Sequence, residues 1–145
     1  MIPSMKFQII TPERVVFSDD VDQVTFMTTT GEITVLPHHI PLVTVLQGGE
    51  LRYKKNGEEE FIAVSGGFAE VRPDNTLIIL ADAAEHAHEI DLSRAVAARE
   101  RAHQTMQETR TFDDREYAAL QSALERALLR ERVGNKYRKL RPQKF

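Results

Sequence analysis

The 145-residue chain contains no cysteine, which excludes a disulfide framework and any thiolate metal site and fits a reducing compartment. No apolar run approaches the roughly 20 residues that span a bilayer. The amino terminus, MIPSMKFQII, turns polar too early for a secretory signal. A soluble intracellular protein is expected, meeting a membrane only where another protein holds it. Also missing are the Gly-x-x-x-x-Gly-Lys and Gly-x-Gly-x-x-Gly loops, a nucleophile elbow, and any carboxylate pair placed for acid–base work. Catalysis by the isolated chain is not expected.

Glycine and proline are nearly missing from the second half: six of seven Gly and five of six Pro precede residue 74. The net charge of −3 divides at the same place. Residues 1–90 carry 14 Asp and Glu against 6 Lys and Arg, whereas residues 91–145 carry 8 against 13. Charge and punctuation therefore predict a first domain over 1–88 and a second, basic one over 89–145.

The first domain reads as strands: Phe7 to Ile10, Val21 to Met27, Ile33 to Leu36, Leu51 to Tyr53, Phe61 to Val64 and Leu77 to Leu80. Thr30-Gly31, Asn56-Gly57 and Pro73-Asp74-Asn75 supply turns. Many short strands at this spacing predict an all-β sandwich or barrel. From Asp91 the residues become helix formers. The pattern predicts a helix over 91–109 with Asp91 as N-cap, a turn, and a second helix over 113–133 ending at Gly134. Thr111-Phe112-Asp113-Asp114 resembles a capping box. Tyr117, Leu120, Leu124, Ala127 and Leu128 form the second helix's apolar face. The first offers mainly alanines with Leu92, Val96 and Met106, a face that packs closely but buries little.

Four arginines are candidate site residues. If the hairpin turns near residue 112, antiparallel neighbours have numbers summing to about 224. Arg94 then falls opposite Arg130, and Arg101 within a turn of Arg126. Four guanidiniums on one seam repel unless an anion lies between them, and their forks match phosphate oxygens. The bland alternative is that they splay into solvent or pair with Glu100, Glu125 and Glu131. His86 and His88, two apart, would share one side of a strand, but a metal needs further ligands, and solvated loop histidines are the better reading. The basic stretch Lys136 to Lys144 reads as a solvated or partner-binding tail; as a nucleic-acid contact it lacks aromatic residues beyond Tyr137.

Longer strings carry a resemblance. Gly31-Glu32, Leu36-Pro37, His39-Ile40-Pro41-Leu42-Val43, Ile62-Ala63-Val64-Ser65-Gly66-Gly67-Phe68 and Glu70-Val71-Arg72-Pro73 are similar to the epsilon subunits of bacterial F-type ATP synthases. His38 departs from that family's usual Gly, which bears on the local turn. The resemblance implies a flattened β-sandwich that binds the gamma subunit and the c-ring, followed by an antiparallel two-helix hairpin. The hairpin would extend toward the alpha and beta catalytic subunits to block ATP hydrolysis. The protein would be a non-catalytic stalk subunit, peripheral on the cytoplasmic face of the cell membrane, without membrane insertion or nucleic acid. Some members bind ATP in the compact state through Ile-Asp-x-x-Arg-Ala, which stands here as Ile90-Asp91-Leu92-Ser93-Arg94-Ala95. The resemblance adds Glu85, Arg101, Arg126 and Arg130 to that site, while His86 replaces a basic residue common there. ATP, with or without magnesium, would be a regulatory ligand. The alternatives are a structural adaptor without nucleotide binding and, from another class, a nucleic-acid-binding module.

Overall fold

The computed structural model describes residues 3–108 and 113–140 and divides into two compact units, Met1–His86 and Ala87–Phe145. The first is all β. Its strands are β1 (Met5–Ile10), β2 (Val15–Val21), β3 (Gln23–Thr28), β4 (Gly31–Val35), β5 (Leu42–Leu46), β6 (Gly49–Lys55), β7 (Glu58–Val64), β8 (Gly67–Arg72), β9 (Thr76–Ala81) and β10 (Ala84–His86). They are ordered β10-β7-β6-β3-β5-β8-β9-β1-β2, with β4 beside β3. Every pairing is antiparallel except β1 with β9. The sheet folds over on itself into a nearly closed sandwich.

Alternation explains the closure, since residues two apart point to the same side of a strand. Phe7 and Ile9 of β1, Val24 and Phe26 of β3, and Leu77 and Ile79 of β9 are all essentially inaccessible. Burying each stabilises the fold by about 1.5–3 kcal/mol. Phe7, Phe17 and Tyr53 join the two layers, with Phe17 and Tyr53 ring centroids 4.7 Å apart. The turns follow their chemistry: Asn56 and Gly57 both have positive φ in the two-residue link from β6 to β7, the geometry that suits strand twist. Gly67 is required outright, because a Cβ there would lie 1.9 Å from the Leu80 carbonyl oxygen.

The strand expected over Val21 to Met27 is in fact two, β2 ending at Val21 and β3 beginning at Gln23. Asp22 makes the break, donating its N–H to the Lys54 carbonyl at 2.7 Å and accepting from Gly57 N–H at 3.1 Å. Sequence pattern missed β2 because Ser18-Asp19-Asp20 interrupts its apolar residues, and it missed β5, β8 and β10 altogether.

The second unit opens with a 3-10 turn, Ala87–Glu89, followed by α1 (Leu92–Glu108) and α2 (Asp114–Leu140). His88 therefore sits on that turn, not on a strand with His86, which ends β10. Asp91 caps α1, accepting from the Arg94 N–H at 3.1 Å. Asp113 caps α2 through the Glu116 N–H at 2.7 Å; Thr111 and Phe112 of the expected capping box lie outside the described residues.

Gly134 does not end α2, which continues to Leu140. It is a close-approach glycine: a Cβ there would meet Leu92 Cδ2 at 2.7 Å and Ile90 Cγ2 at 3.2 Å. The helix crosses these residues only because no side chain intervenes. The buried seam is thus Leu92, Ala95 and Ala102 on α1 against Ala127 and Gly134 on α2; Val133 is buried as well, but about 120° round the helix from Ala127. Tyr117 and Leu128, expected on the apolar face, are 48% and 46% exposed. Among the described residues no helix is long and apolar enough to cross a membrane.

Candidate functional site

Most of the Ile90–Ala95 motif has a structural occupation. Ile90 and Leu92 are buried and pack on Gly134. Asp91 is the N-cap, and Ala95 is fully buried in the seam. Ser93 and Arg94 are exposed and have no such role, and of the two only Arg94 carries a charge. Glu85 lies in the other unit, on β10 opposite Ala63.

Helix geometry places the arginines. At about 100° per residue, Arg94, Arg101 and Arg126 each precede a buried alanine (Ala95, Ala102, Ala127) by one position. All three therefore sit about 100° to one side of the seam. Arg130, three residues past Ala127, lies about 60° to that side. In an antiparallel pair, offsets of the same sign fall on the same flank. The hairpin thus carries Arg94, Arg101, Arg126 and Arg130 along one flank. Arg94, Arg101 and Arg126 are exposed and Arg130 half-buried, and among the described residues none of the first three enters an ion pair.

The register differs slightly from the expected one. Leu92 packs on Gly134, and Arg99 pairs with Glu131 at 2.9 Å. Partner numbers therefore sum to 226 and 230, not 224. Arg101 and Arg126, summing to 227, are level. Arg94 and Arg130 are offset by two to six residues, about 3–9 Å at 1.5 Å per residue.

Arg99, which sequence reasoning did not single out, lies with Glu131 on the opposite flank, each four residues beyond a buried alanine. That spacing was the available signal. Beside them is a groove of about 430 Å3 lined by Arg99, Glu100, His103 and Gln104 of α1 and Leu124 and Leu128 of α2. Glu131 is thus taken by Arg99, leaving it out of any bland pairing with the four candidate arginines.

Other candidates resolve plainly. Among the described residues no cluster of three His, Asp or Glu could hold a metal ion. His86 lies 3.4 Å from the Val16 carbonyl and edge-on to Phe17. Lys136, Arg138 and Lys139 belong to the last turns of α2, where positive charge favours the helix dipole. Asp19 is held below the ordinary carboxylate range by its Lys55 partner and by the Asp20 N–H.

The sandwich carries a surface that the strand pattern did not reveal. Val45 stands opposite Phe68, Phe68 opposite Leu80, Leu80 opposite Ile10, and Ile10 opposite Val15. This unbroken row crosses β5, β8, β9, β1 and β2 on the outer face. Val45, Phe68, Leu80 and Val15 are 45–55% exposed, and neighbouring Val43 is 71% exposed. Contiguous apolar surface of this kind makes the row a candidate interaction site.

Known proteins share both units. Residues 4–87 match the family described as ATP synthase, Delta/Epsilon chain, beta-sandwich domain, and residues 88–133 match its long alpha-helix domain. The ATP synthase epsilon chain of Dehalococcoides mccartyi is 46% identical over 135 residues, covering 93% of this chain and 95% of the relative. That of Syntrophobacter fumaroxidans is 47% identical over 136 residues, covering 94% and 99%. A chain in the Euglena gracilis mitochondrial ATP synthase structure (OSCP/F1/c-ring) superposes with TM-score 0.74 at 25% identity, covering 92% of this chain and 83% of that one.

Proposed function

The chain belongs to the ATP synthase delta/epsilon family, and from that premise we propose that it is a non-catalytic central-stalk subunit with a docking sandwich and a regulatory hairpin. The apolar row through Phe68 and Leu80 seats the sandwich on the gamma subunit beside the c-ring. The complex is held at the cytoplasmic face of the cell membrane through those partners. The hairpin opens and extends toward the alpha and beta subunits, restraining ATP hydrolysis. ATP binds its compact form as a regulatory ligand, its phosphates on the arginine flank.

One observation carries the ATP reading: Arg94, Arg101, Arg126 and Arg130 lie along a single flank, while Glu131 is committed to Arg99 on the other. Arg94, Arg101 and Arg126 are exposed and enter no ion pair among the described residues, and guanidinium forks grouped in this way match the oxygens of a polyanion. Residues that separate by opening the hairpin would couple ligand binding to its closed form, since a ligand shifts an equilibrium only by its differential affinity.

A structural adaptor without nucleotide binding is the second reading. It is favoured by the occupation of Ile90, Asp91 and Ala95 in capping and packing, which accounts for those residues without a ligand. The test is a synthase lacking residues from Asp91 onward. It should make ATP and hydrolyse it faster than the intact complex. Equal hydrolysis rates in otherwise intact complexes would remove regulation by the hairpin.

A further inference from the structure

Asn75 closes the turn between β8 and β9, yet its side chain serves two remote segments. Its Oδ1 accepts the His38 N–H at 2.7 Å, and its Nδ2 donates to the Ser4 carbonyl at 2.8 Å. One partner is a donor and the other an acceptor, so the amide orientation is fixed by them. Its own carbonyl accepts the Lys6 N–H at 3.1 Å. The half-buried Asn75 thus ties together the approach to β1, the β8–β9 turn and the loop between β4 and β5.

That loop is the interesting partner. Leu36-Pro37-His38-His39 is a turn closed by the His39 N–H to the Leu36 carbonyl at 3.1 Å, with Pro37 second and His38 third at φ 63°. Positive φ at the third position is the mark of a type II turn, which favours Gly or Asn there. Histidine is disfavoured in that conformation, so the turn has reason to relax to type I by rotating the Pro37–His38 peptide. That rotation would carry the His38 N–H to the other face. The Asn75 Oδ1 holds it on this one.

The loop is also an apolar tip. Leu36 is 53% and Ile40 75% exposed, and Ile40 leads directly into Val43 and Val45 on the outer face of β5. We propose that Asn75 is a positioning residue: it holds the Leu36–Pro41 loop in the shape that lets Leu36 and Ile40 extend the apolar docking face onto the gamma subunit. This rests on the docking reading above and adds to it the residue that sets the loop. The occupant is an apolar surface of gamma, because the loop continues the apolar row and the chain has no Asp, Glu, Lys or Arg from Leu36 to Leu46.

The test uses the full chain, the gamma subunit of the same synthase and three variants. Asn75→Gly keeps the backbone freedom for positive φ and loses both side-chain bonds. Asn75→Asp keeps the acceptor for His38 and loses the donor to Ser4. Asn75→Gly combined with His38→Gly removes the reason for the turn to relax. The expected result for Asn75→Gly is faster hydrogen exchange at the His38 amide and about tenfold weaker gamma binding, the size of one lost hydrogen-bonded constraint. Asn75→Asp should retain most of the affinity, and the double variant should regain it; a purely structural role would predict neither rescue. Phe68→Glu, measured alongside, tests the docking face itself. Loss of binding in Phe68→Glu with wild-type binding in Asn75→Gly would overturn the positioning role alone. Wild-type binding in Phe68→Glu would overturn the docking reading and the proposal with it.

Discussion

The sandwich and the hairpin are held together by different materials. Between the sheet layers lie Phe7, Phe26, Leu46, Leu51, Ile62 and Leu77, all but inaccessible to solvent. Between the helices lie Ala95, Ala102, Ala127 and Gly134, with Leu92 as the larger member. At about 25 cal/mol per Å2 of apolar area, an alanine seam is stabilised far less per residue than a core of Phe and Leu. The contrast fits a platform that keeps its shape and an appendage that can be taken apart. Polar surface divides the same way, with an apolar row outside the sheet and an arginine flank on the helices.

The largest effect should come from the platform's outer face. Phe68→Glu places a charge in the middle of the apolar row and should weaken gamma binding by about 100-fold or more, the scale of a central hot spot. Because Phe68 is 55% exposed, the unfolding free energy of the free subunit should change by less than about 0.5 kcal/mol. Titration with gamma and a denaturant melt measure the two. A large loss of stability would mean that Phe68 belongs to the core and the row is not a free surface.

A smaller effect is expected in the seam. Gly134→Ala adds a methyl 2.7 Å from Leu92 Cδ2 and should cost the hairpin about 1–3 kcal/mol through overpacking. That outweighs the gain of up to about 1 kcal/mol in helix propensity. Hydrogen exchange should quicken along α1 and α2 and stay unchanged in β1 to β9, and Leu92→Ala should relieve the strain. Protection spreading equally over both units would contradict their independence.

The smallest effect concerns Asp19 and Lys55 at the edge of the sandwich. The folded Asp19 lies below its ordinary value of 3.8, so its contribution is present above that value and lost as pH falls through the lower, folded one. Asp19→Asn should therefore reduce stability slightly at neutral pH, with wild type and variant converging in acid. Both side chains are exposed, so salt should shrink the difference too. Curves that stay parallel through acid pH would remove the ion pair as the cause.

The two units were also unequally legible in the sequence. Asn56-Gly57 and Asp91 announced a hairpin and a helix start because their local chemistry decides the backbone, and both stand where expected. Gly134 misled because a glycine that ends a helix and one that admits a neighbour look alike until the neighbour is known. The outer apolar row was hidden for a related reason: Val45, Phe68, Leu80 and Ile10 are far apart in sequence, and only the strand register aligns them. The grouping of the four arginines followed from helical spacing, while their level depended on the Gly134 crossing. Arg99 escaped notice because its pairing with Glu131 requires the true register.

The arginine flank is tested most directly by thermal unfolding of the full chain with and without ATP and magnesium, in wild type, Asp91→Ala, Arg94→Ala and Arg126→Ala. Without ATP, Asp91→Ala should cost about 0.5–2 kcal/mol of helix stability as a lost cap, and the exposed arginines should matter little. ATP at about 100 times its dissociation constant should stabilise the wild type by roughly 2.7 kcal/mol, and both arginine variants should lose most of that gain. An ATP-induced shift undiminished in Arg94→Ala and Arg126→Ala would contradict a phosphate site on this flank and leave Asp91 as a helix cap.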